Sequence, residues 1–187
     1  MGDTPSVGWL LKGNPTDLTQ PSWGGRFVRA WARPYTRLER MPTKEKDRME
    51  VFGVLDLVLP IDPGAPGQAP EAVLLVENQE LPGYAPGDGT MRFRFCPKSA
   101  KAHDFSIRSN AATLNGKTGG IAVFVPPRSM AQQPSSELPN WWTDDPAEDL
   151  AEGEHMGAKT VSRWREDFLW DFAARMLRCQ RPDPTKP

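Results

Sequence analysis

Cysteine, histidine and tyrosine are scarce in this chain, with two of each among 187 residues. Cys96 and Cys179 stand alone, with no CxxC pair and no Cys/His cluster. No zinc cluster is therefore expected, while a disulfide between the two stays open. An excess of charge is lacking as well. The 23 basic residues nearly balance the 24 acidic ones, for a net charge of −1, which gives no general attraction to nucleic acid or to an anionic membrane. The basic stretch from Arg26 to Arg48 is interrupted by Glu39, Glu45 and Asp47. No apolar run approaches the ~20 residues of a membrane span. Met1 is followed by Gly-Asp-Thr-Pro instead of a basic and then apolar leader, so no export signal is expected on the chain as it stands. The glycine pairs form no phosphate loop, and no serine sits in a nucleophile elbow.

What is present is proline, 20 residues, placed mainly between apolar runs, which implies many loops and short elements. Residues 49–59 (MEVFGVLDLVL), 72–77 (AVLLVE), 91–96 (MRFRFC), 104–109 (DFSIRS) and 120–125 (GIAVFV) read as strands by length, β-branching and alternation. Pro86-Gly87-Asp88-Gly89 and Asn115-Gly116 supply turn chemistry between them. Asp3 and Thr4 offer caps for a short helix over residues 5–12. The expected fold is α+β, an antiparallel sheet or sandwich of about five strands flanked by that short helix and by a long amphipathic C-terminal helix.

The C-terminal helix is the most strongly patterned stretch. Over residues 160–179, Val161, Trp164, Phe168, Phe172 and Met176 recur at spacings of three and four, widened by Leu169 and Ala173. Such a stripe is expected to be core. Arg163 with Asp167, and Asp171 with Arg175, stand one turn apart, and Thr160 or Ser162 is placed to cap the start. The loop before it holds Trp141, Trp142, Asp144, Asp145 and His155, a dense set of functional side-chain types. Trp141 and Trp142, and Trp23 beside Gly24-Gly25, either pack their loops onto the core or stack on sugar rings. His155, near Glu152 and Glu154, is either a solvated loop residue or part of a metal or proton-transfer site.

Four motifs occur in one order: GDTPSVGWLL at 2–11, PSWGGRF at 21–27, WWTDDP at 141–146 and TVSRWREDFLWDFAARM at 160–176. Together they resemble a bacterial cellulose-binding family that contains a nucleoside hydrolase-like domain, the last motif being the most specific. The resemblance implies that residues 1–33 and 131–187 are C-terminal pieces of that α/β domain, with residues 34–130 as an inserted β-rich domain. It also implies a parent protein that hydrolyses glycosyl bonds or binds a polysaccharide such as cellulose. In such a parent an N-terminal α/β portion would carry the aspartate cluster that holds calcium, and Asp3 matches the family's late aspartate ligand. Calcium takes six to eight oxygen ligands, so this chain alone is expected to bind none and to be inactive. Met1 is then read as an internal methionine. The implied partner is a polysaccharide or nucleoside-like sugar, with neither nucleic acid nor membrane. The other reading is a self-contained β-sandwich binding module, for carbohydrate or protein, without catalysis.

Overall fold

A computed structural model describes residues 10–30, 34–62, 69–127 and 134–179. The described residues form a sheet-dominated α+β fold of ten strands in three sheets. The short strand β1 (Phe27–Arg29) is followed by β2 (Tyr35–Leu38), β3 (Arg48–Glu50), β4 (Val54–Pro60), β5 (Ala72–Val76) and β6 (Gln79–Pro82). Then come β7 (Thr90–Phe95), β8 (Ala102–Ser109), β9 (Thr118–Phe124) and β10 (Trp142–Asp144). Helices α1 (Lys159–Ser162) and α2 (Arg165–Arg178) close the described chain.

Alternation builds the core. On β7 the phenylalanines turn inward while Arg92 and Arg94 turn out, and β5 and β8 show the same period of two. A three-stranded sheet, β2-β4-β7, and a five-stranded sheet, β3-β9-β8-β5-β6, share one buried cluster whose members all lie between Met49 and Val123. Phe95 and Phe105 meet edge to face at 5.6 Å across it. Two pairings, β2 with β4 and β3 with β9, are parallel, which corrects the expectation of a purely antiparallel arrangement.

Two joints let the chain change sheets. The run at 49–59 is two strands, not one, because Phe52 adopts a left-handed backbone (φ 63) that sends β3 and β4 into different sheets. Its N–H is held by the Pro97 carbonyl at 2.8 Å. At the second joint, Gly83 donates to the Ala72 carbonyl while Tyr84 bridges to Arg92. A Cβ at Gly83 would lie 2.7 Å from both the Met91 sulfur and the Phe93 ring, so the crossing requires glycine.

The loop between β2 and β3 is pinned by Asp47. Its carboxylate accepts hydrogen bonds from Arg40 Nη1 and Nη2, each at 2.8 Å, and from the Thr43 N–H at 2.8 Å. The Arg40 hydrogen bond leads the effects that hold this carboxyl below the ordinary aspartate range. A depressed folded value means stability present above the unfolded pKa of about 3.9 and lost as pH falls through the folded value. Asp47→Asn should accordingly be less stable than the parent at pH 7, with the gap narrowing below about pH 4. Urea melts at the two pH values check this, and a gap independent of pH would refute the ionic role.

The terminal helix departs most from expectation. It is broken at Trp164 into α1 and the 14-residue α2, and no residue of α2 is buried. Trp170, Phe172 and Leu177 are 76%, 61% and 64% exposed. Of the stripe read as core, Trp164 and Phe168 are half-buried while Val161, Leu169, Phe172 and Met176 are exposed within the described chain. Asp171 and Arg175 pair at 2.6 Å as expected, but Arg163 stacks on Trp164 instead of reaching Asp167. Thr160 does not cap either. Its buried hydroxyl donates to the Gly157 carbonyl at 2.7 Å. The predicted helix at 5–12 lies mostly outside the described residues, which begin in a tight turn at Leu10 and Leu11. Cys96 and Cys179 are both exposed and free.

Candidate functional site

Three segments far apart in sequence meet beside the sandwich. β1 and β10 form an antiparallel ladder with Phe27 opposite Asp144, Val28 opposite Thr143 and Arg29 opposite Trp142. Arg26 forms an ion pair with Asp145, whose side chain is largely buried. Gly25 abuts Thr160 and Val161 at the start of α1. Gly157, with φ 70, lies so close to the Asp145 carbonyl that a Cβ there would sit 2.9 Å from its oxygen. The two ends of the chain are thus joined around strands β2 to β9.

A cleft of about 390 Å³ opens between this junction and the sandwich. The sandwich contributes Phe52 and Lys98, and the tail contributes Asp144, Glu152, His155 and Arg165. Phe52 is the residue with the left-handed backbone, a conformation uncommon for a bulky side chain and enriched at functional sites. Asp144 meets solvent along one edge, yet the surrounding protein pushes its carboxyl above the ordinary range, against the pull of Lys98. A carboxyl and a lysine on one cleft offer an acceptor and a donor to a polar ligand.

His155 is exposed in a tight turn in which its backbone pairs with that of Glu152, and the nearby Glu154 is drawn to Lys101 at 2.5 Å. Among the described residues no group of three or more histidine, cysteine or acidic side chains converges to hold a metal. Asp145 is engaged by Arg26, and Asp3 lies outside the described residues. The described residues do not fit a calcium ion.

The tryptophans are placed separately. Trp142 sits on β10 with the Arg29 guanidinium 4.6 Å from its ring centre, so one ring face is covered. Trp23 is half-buried, with the Lys12 ammonium 5.6 Å from its ring. Trp141 is exposed at the edge of the ladder. The second histidine, His103, is buried, facing the Ser99 carbonyl at 3.1 Å and Glu77 at 3.2 Å, a structural role on β8.

Sequence reasoning missed Asp56, the one acid inside the apolar run of β4, and Tyr35 and Tyr84 near it. The usable signal was the charge itself, an aspartate in the middle of VLDLVL.

No protein-family model matches this chain, and no curated protein matches it. Among solved structures, the chain is similar to a candidate glycoside hydrolase of Bacteroides vulgatus ATCC 8482, at 20% identity and a TM-score of 0.37 over 44% of this chain. It spans 17% of that protein's length.

Proposed function

We propose that this chain is the C-terminal part of a nucleoside hydrolase-like, carbohydrate-binding protein, and that alone it binds polysaccharide without hydrolysing it. In this reading residues 1–33 and 131–187 belong to the hydrolase-like domain and 34–130 are an inserted sandwich. The missing N-terminal α/β portion covers α2 and supplies any calcium site, to which Asp3 contributes in the parent. Glycosyl-bond hydrolysis, where the parent retains it, belongs to that portion. Cellulose is the first polysaccharide to try.

The observation that carries this reading is the bare surface of α2. Fourteen residues are marginal for an isolated helix in water, and this one has no buried residue and no side-chain cap. Its exposed apolar residues also exceed one stripe: Leu169, Phe172 and Met176 lie on one side and Trp170 and Leu177 on another. A helix apolar over more than half its circumference is one that a larger domain surrounds. The β1–β10 ladder adds support, since it ties this tail to the N-terminal motif and leaves the sandwich strands between.

The isolated chain should therefore bind an apolar fluorescent dye and self-associate. Trp170→Ser with Leu177→Ser should reduce both while shifting sandwich stability by no more than about 0.5 kcal/mol. A dye-silent, monomeric parent chain would sink the idea of a missing domain.

The second reading, a self-contained sandwich module, is favoured by one fact: every residue of the buried cluster lies between Met49 and Val123. Cooperative melting and saturable binding by residues 34–127 alone would support it.

A further inference from the structure

The outer face of the three-stranded sheet carries side chains that neither the core nor the junction uses. β4 turns Leu55, Leu57 and Leu59 into the core, so Asp56 and Val58 point out of the sandwich. Asp56 should be wet, yet it is 1% exposed. Side chains from both flanking strands cover it. Tyr35 on β2 donates its hydroxyl to Asp56 Oδ2 at 2.6 Å. Arg94 on β7, the register partner of Asp56, brings Nε to 3.8 Å from Oδ1. Tyr84 continues the row, its ring centre 5.7 Å from the Arg94 guanidinium, which donates to its hydroxyl at 3.4 Å. Two tyrosines, 39% and 42% exposed, thus bracket a buried carboxylate across neighbouring strands.

Two polar atoms on this face are unspent. Among the described residues, buried Asp56 Oδ1 accepts no hydrogen bond and buried Arg92 Nε, two residues along β7 from Arg94, donates none. An open acceptor and an open donor on one face are costly in the free protein. A hydroxyl group, acceptor and donor at once, answers both. Charge narrows the ligand further. Arg37 pairs with Glu39 at 3.1 Å, Arg92 with Asp88 at 2.7 Å and Arg94 with Asp56. Every guanidinium here already has its carboxylate, so no positive field is left for a phosphate or an acidic sugar. Burial, and then the hydrogen bond to Asp56, raises the Tyr35 pKa, which keeps its hydroxyl a donor.

We propose that this face, centred on the row Tyr35, Asp56, Arg94 and Tyr84, binds a neutral, hydroxyl-rich polysaccharide laid across the strands. Sugar rings lie against the two tyrosines, whose faces suit the apolar faces of carbohydrates. Arg94 both opens and completes the site: its side chain is 63% exposed, and on lifting it uncovers Asp56 Oδ1 and donates to the neighbouring sugar hydroxyl. Asp56 is a positioning residue in the free state, holding the Tyr35 hydroxyl and facing the Arg94 guanidinium. The proposal rests on the carbohydrate-binding reading above and places the contact on the sandwich instead of on Trp141 and Trp142.

The test is affinity electrophoresis of the whole chain through gels containing neutral hydroxyethylcellulose or anionic carboxymethylcellulose. Parent, Tyr84→Ala, Arg94→Ala and Trp141→Ala proteins are compared, each with a thermal melt. The neutral polymer should retard the parent, and Tyr84→Ala and Arg94→Ala should each weaken binding about tenfold without altering the melt. Trp141→Ala should bind as the parent does. If both face variants bind normally and Trp141→Ala does not, the proposal is overturned while the carbohydrate reading stands. Preference for the anionic polymer overturns the neutral-ligand assignment. A parent retarded by neither polymer ends both.

Discussion

Phe93→Ala is expected to cost about 3–5 kcal/mol, the range found for emptying a large aromatic site in a core that cannot collapse. Phe93 is fully buried on β7, opposite Leu57 of β4. Its ring is hemmed in by the crossing at Gly83, where there is no room even for a methyl group. The surroundings are two hydrogen-bonded sheets, so relaxation into the hole would require moving a ladder. Against a typical domain stability of about 5–15 kcal/mol, the loss is a large fraction of the whole. Urea unfolding should show a lower midpoint with an unchanged slope, since the area exposed on unfolding hardly changes. The contrast is Phe172→Ala, the same chemical change on the exposed helix, for which about 0.5 kcal/mol or less is expected. Comparable losses at the two positions would mean that α2 is buried in solution and that the exposed face described above is wrong.

The difference between these two phenylalanines also shows how far the sequence could be read. Strands β5, β7, β8 and β9 were legible because each alternates a buried and an exposed face, a signal carried in five to eight consecutive residues. β2, β6 and β10 were not. Tyr35–Leu38 and Gln79–Pro82 are sheet-edge strands of four residues, held by their neighbours more than by any pattern of their own. Trp142–Asp144 exists because it pairs with Phe27–Arg29, a contact across most of the chain that no local window contains. The apolar run at 49–59 hid its break because residues on both sides of Phe52 are apolar and buried whichever sheet they join. The helix at 165–178 was found by periodicity, but periodicity says only that a face is apolar, not what lies against it.

The candidate sites divide in the same way. Trp141, Trp142, Asp144 and His155 stood out as residue types in a loop, and the structure places Asp144 and His155 on one cleft but leaves the tryptophans outside it. The Tyr35, Asp56, Arg94 and Tyr84 row gave almost no local signal. Its members come from three different strands and a bridge, and their meaning lies in the register that sets Asp56 opposite Arg94. A single charged residue in an apolar strand is a pointer that something must satisfy it, and only the fold says what.

Gly157→Val should detach α1 and α2 from β10 without melting the sandwich itself. Valine is rarely found at φ 70, where its branched side chain meets the backbone, a cost of about 1–2 kcal/mol. Its Cβ would also press within 2.9 Å of the Asp145 carbonyl oxygen and 3.3 Å of the Asp144 Cβ; Asp144 ends β10, and the Asp145 N–H is held by the Arg26 carbonyl. Overpacking of this kind adds roughly 1–3 kcal/mol. Little on the tail side offsets that loss, because the Thr160 contacts to the Gly157 carbonyl depend on the same turn. The expected result is early amide exchange in α1 and α2, cleavage by trypsin near Lys159 and Arg163 at low protease, and a sandwich transition close to that of the parent. Asp144 supplies an internal reporter. Burial is what pushes its carboxyl up, so in the variant its titration by NMR should move down toward the ordinary aspartate value. A single transition with a lowered midpoint throughout, and an Asp144 titration that does not move, would show instead that the tail and the sandwich fold as one cooperative unit, and the division into an inserted domain and two flanking pieces would have to be given up.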